Sequence, residues 1–223
     1  MKKYRIQKYS TESYRLWNEF VADAKNATFL FHRDFMEYHS DRFEDYSLLI
    51  FDEENKLKAI LPANKVGTAL HSHQGLTYGG LVFDENHNPI ATFEIFDSLI
   101  SFLKNESFTL LNLKIIPVIY NKSNTQEFDY YLIQKGANLI KREMNLIIDL
   151  RDEWKLSKSK LKHFKKVESK LEMLEENDLS LFWNNVLVPR LNEKYKTSPV
   201  HSLQEIQKLK QNFDDKIIQF SAF

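Results

Sequence analysis

Hydrogen-bonding side chains and glycines are concentrated in residues 71–81, with the sequence HSHQGLTYGGL. Gly75, Gly79 and Gly80 are three of the five glycines in the whole chain of 223 residues. Glycine is favoured where φ is positive or where the backbone must approach another group closely, so these positions indicate a backbone of special shape. The polar side chains around them are neutral, and such groups orient an uncharged polar ligand such as a sugar hydroxyl or an amide. A tight connection between two strands explains the same residues without a ligand, and the sequence leaves both interpretations open.

We expect six residues of this stretch to line a concave substrate pocket, in which the last two glycines let a ligand or the opposing backbone come close. These residues are His71, His73, Thr77, Tyr78, Gly79 and Gly80. Two residues are candidates for catalysis. Tyr78 is either a hydrogen-bond donor and general acid or an aromatic anchor of the segment. His201 is either a general base or a loop histidine that makes local hydrogen bonds.

Other catalytic classes find little support. His71 and His73 are two residues apart and would share one face of a strand, but a metal site needs a third ligand, and no residue stands at a suitable spacing. We therefore expect no metal. The chain has no cysteine, which excludes disulfides, zinc–thiolate sites and a thiol nucleophile. No nucleophile elbow and no P-loop is present.

The composition is that of a globular protein, with 43% hydrophobic and 28% charged residues. Lys plus Arg equals Asp plus Glu at 31 each, so no overall field attracts the chain to nucleic acid or anionic lipid. No apolar h-region follows the basic N-terminus, and no run approaches the roughly 18 apolar residues of a membrane helix. We expect a soluble, cytoplasmic protein without a membrane span.

The hydrophobic periodicity predicts helices and strands in alternation through residue 150. Strands are expected at 4–8, 45–52, 56–65, 80–83, 108–118 and 143–150, and helices at 12–25, 35–43, 90–104 and 125–135. The polar turn 52–55 joins two of the strands into an antiparallel hairpin. This order predicts an α/β (α+β) fold with one mixed sheet flanked by helices.

The character of the chain changes at Asp152. Residues 155–170 form a predicted basic helix, with Trp154 and Phe164 as the aromatic residues near it, and an acidic turn follows at 172–178. Helices are expected at 179–195 and 202–212. The last run, 216–223, has strand character, and we expect it to be poorly packed or paired with another chain. The basic helix is either a neutralised surface helix or a nucleic-acid contact.

The glycine segment resembles a group of bacterial acyltransferases of the GNAT superfamily, in the branch related to Fem-type aminoacyl transferases. The most specific match is Ser72–Gly80. Further similarity lies in Phe31–His39, Leu61–Asn64, the basic stretch Leu161–Glu168, Pro189–Leu191 and Ser198–Ser202.

The resemblance implies an N-terminal GNAT-like domain over residues 1–151 with a mixed, mainly antiparallel sheet. Residues 152–223 would then be a basic connecting helix and the start of a second GNAT-like half, so that the chain is part of a longer protein. The implied activity is N-acetyl-like transfer from acetyl-CoA or another acyl-CoA to an amine of a sugar or cell-envelope precursor. The alternatives are a Fem-type transferase that uses aminoacyl-tRNA on a peptidoglycan precursor, with tRNA as a partner, and a non-catalytic GNAT-like half that binds a substrate or partner. The chain lacks the Gln/Arg-x-x-Gly-x-Gly/Ala turn that commonly holds the pyrophosphate, so the donor site is expected outside this half or is lost from it.

Overall fold

The computed structural model describes residues 4–86, 88–123, 125–151, 153 and 155–223. It divides the chain into two compact units, Met1–Asn138 (unit 1) and Leu139–Phe223 (unit 2). The sequence places the end of the first domain later, at residue 151. The predicted start of the second domain, Asp152, lies outside the described residues, as does Trp154.

Two four-stranded sheets form the centre of unit 1. The strands are β1 (Arg5–Lys8), β2 (Glu44–Asp45), β3 (Leu48–Phe51), β4 (Leu57–Leu61), β5 (Asn64–Val66), β6 (Ala69–His71), β7 (Val82–Phe83) and β8 (Leu110–Asn112). One sheet has the order β1-β3-β4-β7, and all its pairs are antiparallel. The other has the order β2-β5-β6-β8, and β6 and β8 run parallel.

The predicted hairpin is confirmed, because β3 pairs antiparallel with β4. Asp52 shapes its turn: the carboxylate Oδ1 accepts hydrogen bonds from the backbone N–H groups of Glu54 (3.0 Å) and Lys56 (2.9 Å). Asn55 adopts a positive φ of 59° at the same turn. Short polar side chains tolerate this conformation, which is why a polar turn here could be predicted from the sequence.

The sequence assigns the strands of unit 1 to one sheet, but in the structure they form two. The hairpin strands leave the first sheet at Ser47 and Pro62 and continue as β2 and β5 of the second. Ser47 Oγ accepts a hydrogen bond from the backbone N–H of Ala63 (3.2 Å), a contact that replaces a regular ladder bond. Pro62 has no N–H to donate, so the ladder is interrupted there.

Helices cover both faces of the first sheet. They are α1 (Tyr14–Asp23), α2 (Arg33–Met36), α3 (Pro89–Asn105) and α4 (Gln126–Gln134), with 3₁₀ turns at Thr11–Ser13, Phe29–Phe31, Glu37–Arg42 and Val118–Tyr120. Ile50 packs in a cluster with Leu99 of α3, whereas its neighbour Leu49 packs in a second cluster with Trp17 of α1. Successive strand residues point to opposite faces, so β3 is buried on both. The predicted α+β class with flanking helices is confirmed.

Unit 2 contains short elements: α5 (Lys158–Val167), β9 (Met173–Glu176), α6 (Ser180–Phe182), α7 (Val188–Tyr195), α8 (Leu203–Asn212) and β10 (Gln219–Ala222). A π-helical segment, Trp183–Leu187, joins α6 to α7. Pro189 follows it, and a proline within a helix removes one backbone hydrogen bond and displaces the preceding turn. No helix among the described residues is long and apolar enough to cross a membrane.

Two predictions for unit 2 are wrong. Residues 143–150 form no strand, and residues 137–149 have no regular structure. A run with strand composition needs a neighbouring strand to satisfy its backbone, and none pairs with this one. The predicted acidic turn at 172–178 instead contains β9, which pairs antiparallel with β10 in the same chain. The last strand is poorly packed, as expected, since Phe220 remains 62% exposed.

Candidate functional site

The glycine segment forms a closed loop, residues 72–79 (the 72–79 loop), between β6 and the chain leading to β7. Ser72 N–H donates to the carbonyl oxygen of Asn112 (2.8 Å), and Gly79 N–H donates to the carbonyl oxygen of Lys114 (2.5 Å). Both ends of the loop therefore attach to one short stretch, from the last residue of β8 to Lys114. A Cβ at Gly79 would lie 2.4 Å from the carbonyl oxygen of Ser72. The close approach of the two ends, with a neck that admits only glycine, is the geometry of an Ω-loop.

Two polar side chains, one from β5 and one from the chain just after β8, fix the interior of the loop. Buried Asn64 of β5 accepts a hydrogen bond from Gln74 N–H through Oδ1 (2.7 Å) and donates through Nδ2 to Gln74 Oε1 (2.9 Å). The backbone N–H of Lys114 donates to Ser72 Oγ (2.7 Å), and Lys114 Nζ donates to the carbonyl oxygen of Leu76. The loop backbone is therefore held in one conformation by side chains that lie far away in sequence.

Gly75 is explained by the close approach of a histidine side chain, which leaves no space for a Cβ at this position. His39 Nε2 lies 3.3 Å from the carbonyl oxygen of Gly75, and a Cβ at Gly75 would lie 2.2 Å from that nitrogen. Because a carbonyl oxygen only accepts, His39 donates from Nε2. Gly80 has a different reason, since its φ is +88°. Of the three glycines, only Gly80 is explained by positive φ, whereas Gly75 and Gly79 are explained by close approach.

His73 is a buried core residue. Its ring stacks on His39 with centroids 5.4 Å apart and an interplanar angle of 14°, and it contacts Phe43 at 5.3 Å. Only 3% of the residue is exposed. Burial, followed by the proximity of His39, lowers the pKa of His73 to about 4. His73 Nδ1 has no hydrogen-bond partner among the described residues. The ring is therefore neutral and forms part of an aromatic stack.

Tyr78 is also buried and anchors the end of the loop. Its hydroxyl lies 2.9 Å from Thr28 Oγ1, and its ring contacts Phe31 edge-on and Tyr120 at an angle. Burial raises the pKa of Tyr78 above its usual value. These contacts correspond to the anchoring role that the sequence left open beside the general-acid role.

The accessible groups lie at the start and on the outer side of the loop. His71 is half-buried, whereas Gln74 and Thr77 are exposed. His71 Nδ1 lies 3.3 Å from Asn112 Nδ2. The expectation that His71 and His73 share a strand face is wrong, because β6 ends at His71 and His73 adopts a φ of +47°.

A small cavity lies at the end of the loop, and two of the six candidate pocket residues line it. A cavity of about 10 Å³, at the lower limit for one water molecule, is lined by Gly79 and Gly80 together with other groups that include Asn26 and Ile115. His71, His73, Thr77 and Tyr78 do not line this cavity. The structure therefore places the six candidate residues on one loop and at its ends, but it separates two buried side chains from two accessible ones.

A second cluster beside the loop was not singled out by the sequence. Arg33 is buried and donates to Glu37 Oε1 (2.9 Å), Asp45 Oδ2 (2.5 Å) and Ser47 Oγ (3.2 Å). Its guanidinium also lies 3.7 Å from the ring centroid of Tyr9. The signal available was that Arg33 and His39 both fall in the stretch Phe31–His39. The charge of Arg33 is fully compensated, so this cluster stabilises the break between the two sheets.

Candidate residues outside the loop add little to a site. His201 lies in unit 2 directly before Ser202, the N-cap of α8, whose hydroxyl accepts from Glu205 N–H (3.2 Å). Within the described ranges, no group of three or more His, Asp or Glu is arranged to hold a metal ion.

Comparisons with known proteins leave the family open. No family model matches the chain, and no curated protein matches it. Among solved structures, the chain is similar to the tetramutant of the BH1408 protein from Bacillus halodurans, with 14% identity and a TM-score of 0.39. The similarity covers 65% of this chain and 99% of that protein.

Proposed function

We propose that this chain belongs to an acyltransferase that transfers an acyl group from an acyl-CoA to an amine of a sugar or cell-envelope precursor. The 72–79 loop faces the acceptor. One observation carries the proposal: His71, Gln74 and Thr77 are accessible hydrogen-bonding groups on a backbone fixed by Asn64 and Lys114. Groups held in place before binding lose little entropy when a polar acceptor arrives. The resemblance of Ser72–Gly80 to acyltransferases of the GNAT superfamily supports the same activity.

The reaction is a direct transfer. The neutral amine nitrogen attacks the thioester carbonyl carbon, a C–N bond forms, and a general base takes the amine proton. Hydrogen-bond donors stabilise the oxyanion of the tetrahedral intermediate. Its collapse breaks the C–S bond and releases the thiolate, which takes up a proton. No enzyme-bound acyl group is needed, and the absence of cysteine from the sequence agrees with this.

His71 serves as a binding residue in this scheme. Asn112 Nδ2 is an amide donor, so His71 Nδ1 accepts from it (3.3 Å) and the ring N–H lies on Nε2. Nε2 then donates to an acceptor hydroxyl or carbonyl oxygen. The general base stays unassigned, and His201 remains its sequence candidate.

The test measures CoA release by the full-length gene product with acetyl-CoA and glucosamine as probes. We expect His71→Ala and Thr77→Ala each to raise KM for the amine roughly tenfold, the effect of about one lost hydrogen bond. His163→Ala and Thr197→Ala change the same residue types at exposed positions of unit 2 and leave KM unchanged. Absence of turnover together with absence of acetyl-CoA binding in calorimetry contradicts the proposal.

A non-catalytic GNAT-like half that binds an acceptor is the second candidate. It is favoured by the burial of His73 and Tyr78, the two groups of the loop best suited to proton transfer. In that case glucosamine or a related amino sugar binds with the same dependence on His71 and Thr77, and no CoA is released.

A further inference from the structure

Helix α5 carries a concentration of positive charge that the rest of unit 2 does not neutralise. Between residues 155 and 170 the described residues include seven lysines and one acidic residue, Glu168. All of these lysines are exposed, and none forms an ion pair with a described residue. They are Lys155, Lys158, Lys160, Lys162, Lys165, Lys166 and Lys170.

The same helix has an apolar stripe. Leu161, Phe164 and Val167 follow one another at intervals of three residues and are 40%, 49% and 41% exposed. Residues at this spacing lie on one side of an α-helix. Lys160 lies on the side of the stripe and Lys165 lies next to it beyond Leu161, whereas Lys162 and Lys166 lie on the opposite side. The helix is therefore basic and amphipathic, and its apolar side is accessible.

Two classes of polyanion attract lysines, and the stripe distinguishes them. Nucleic-acid surfaces combine lysine with arginine and with several aromatic rings on which bases stack, but α5 contains no arginine, and its rings are those of Phe164 and His163. An anionic lipid surface accepts apolar side chains below its headgroups and lysine ammonium groups at them. A lipid surface therefore offers contacts both to the apolar stripe and to the lysines of the helix.

We propose that α5 docks in the plane of an anionic lipid bilayer. Leu161, Phe164 and Val167 enter the boundary between headgroups and acyl chains, while Lys160 and Lys165 reach the lipid phosphates beside them. The lysines on the opposite side add attraction that depends on distance and is screened by salt. This mode of attachment needs no membrane-spanning helix, and it does not depend on acyl transfer by unit 1.

The test is co-sedimentation of the full chain with vesicles of phosphatidylglycerol and phosphatidylcholine, compared with vesicles of phosphatidylcholine alone. We expect binding to the anionic vesicles at about 0.1 M salt and loss of most of it at about 1 M, where the Debye length falls from about 10 to about 3 Å. Lys160→Gln together with Lys165→Gln lowers the partition coefficient roughly 25-fold, because each lysine near the surface contributes about fivefold. Phe164→Ser lowers it roughly tenfold or more at unchanged charge.

Two controls match these changes. Lys162→Gln together with Lys166→Gln removes the same charge from the far side of α5 and has the smaller effect. Lys208→Gln removes one exposed lysine from α8 and has none. Circular dichroism of each variant confirms that the helix content is retained.

Three results overturn the proposal. They are equal binding to neutral and anionic vesicles, unchanged partitioning of Phe164→Ser, and binding to a single-stranded RNA oligonucleotide that competes with the vesicles and does not depend on Phe164. The last result assigns the lysines of α5 to nucleic acid.

Discussion

Unit 1 and unit 2 differ in how far their apolar side chains are buried. In unit 1 both faces of the first sheet are covered, and residues such as Leu49, Ile50 and Leu99 are fully buried. In the described part of unit 2, the buried hydrophobic residues are Leu179, Leu209 and Phe213. Many others remain exposed, including Leu139, Ile140, Met144, Leu146, Ile148, Leu150, Phe164, Met173 and Phe220.

This difference determines what each unit is able to do. Burial of apolar area offsets the conformational entropy lost on folding, so unit 1 is able to hold a loop in one conformation. Unit 2 has little such burial, and its surface combines exposed apolar groups with the unpaired lysines of α5. In the two proposals above, the fixed loop of unit 1 binds a small polar molecule, and the exposed apolar groups and lysines of α5 in unit 2 contact a lipid surface.

A pair of matched leucine substitutions, one buried and one exposed, gives the largest expected difference in the free energy of unfolding. Leu99→Ala removes a fully buried side chain of α3 in unit 1 and should lower the free energy of unfolding by about 2–5 kcal/mol. Leu161→Ala removes a side chain that is 40% exposed in unit 2 and should cost about 0.5 kcal/mol or less. Urea unfolding followed by fluorescence and circular dichroism measures both. Equal costs for the two substitutions contradict the comparison.

Gly79→Val tests the neck of the 72–79 loop. The new side chain meets the backbone carbonyl of Ser72, where even a Cβ would lie 2.4 Å away. We expect a loss of about 3 kcal/mol in the free energy of unfolding, since backbone atoms on both sides must move. Gly67→Ala is the control, because φ is +58° there but no atom lies within 4 Å of the added Cβ. A smaller loss for Gly79→Val than for Gly67→Ala shows that the neck opens without cost.

The stability of unit 1 should depend on pH through His73. Its pKa in the folded state is about 4, below the ordinary value of 6.5 that applies when the chain is unfolded. The unfolded state therefore binds a proton at a higher pH than the folded state does. This contribution to stability is complete above pH 6.5, falls by up to about 1.4 kcal/mol per pH unit below it, and stops falling near pH 4.

The measurement compares chemical unfolding of the wild type and His73→Gln across this range, with His163→Gln in unit 2 as the control. We expect the pH dependence to become shallower in His73→Gln and to be unchanged in His163→Gln. Identical slopes in all three proteins mean that His73 is not buried in its neutral form.

Tyr78→Phe gives the smallest expected effect. It removes the hydrogen bond with Thr28 and leaves the ring packing in place, so the free energy of unfolding falls by about 1 kcal/mol. With Tyr78 as an anchor, kcat in the acetyl-CoA assay stays the same. A fall in kcat of a hundredfold or more at little cost in stability, in the range typical of general acids, instead gives the phenol a chemical role.

The sequence predicted the parts of the fold that depend on local signals. The polar turn at 52–55 and the helices predicted at 90–104 and 202–212 are present, the latter two as α3 (Pro89–Asn105) and α8 (Leu203–Asn212). The partners of the 72–79 loop could not be predicted in this way. His39, Asn64 and Lys114 come from three other elements, and only the folded chain brings them to the loop.

The same distinction explains the errors in unit 2. The run at 143–150 has the composition of a strand, but strand formation also requires a partner, which composition does not supply. β9 was missed because Glu175 and Glu176 suggested a solvated turn, whereas pairing with β10 satisfies their backbone groups. Within the loop, the glycines marked the special backbone correctly, but they did not show that His73 and Tyr78 are buried.

Amide hydrogen exchange, resolved along the full chain, tests most directly whether unit 1 holds the 72–79 loop rigidly while unit 2 opens locally. We expect the amides of β3 and β4 to exchange only through global unfolding of unit 1. The same should hold for the hydrogen-bonded amides of Ser72, Gln74 and Gly79 in the loop. The amides of α5, β9 and β10 should exchange through local openings of much lower free energy. Protection in unit 2 equal to that of β3, or rapid exchange at Ser72, Gln74 and Gly79, would contradict a fixed loop on the buried core of unit 1 and a unit 2 with little buried apolar area.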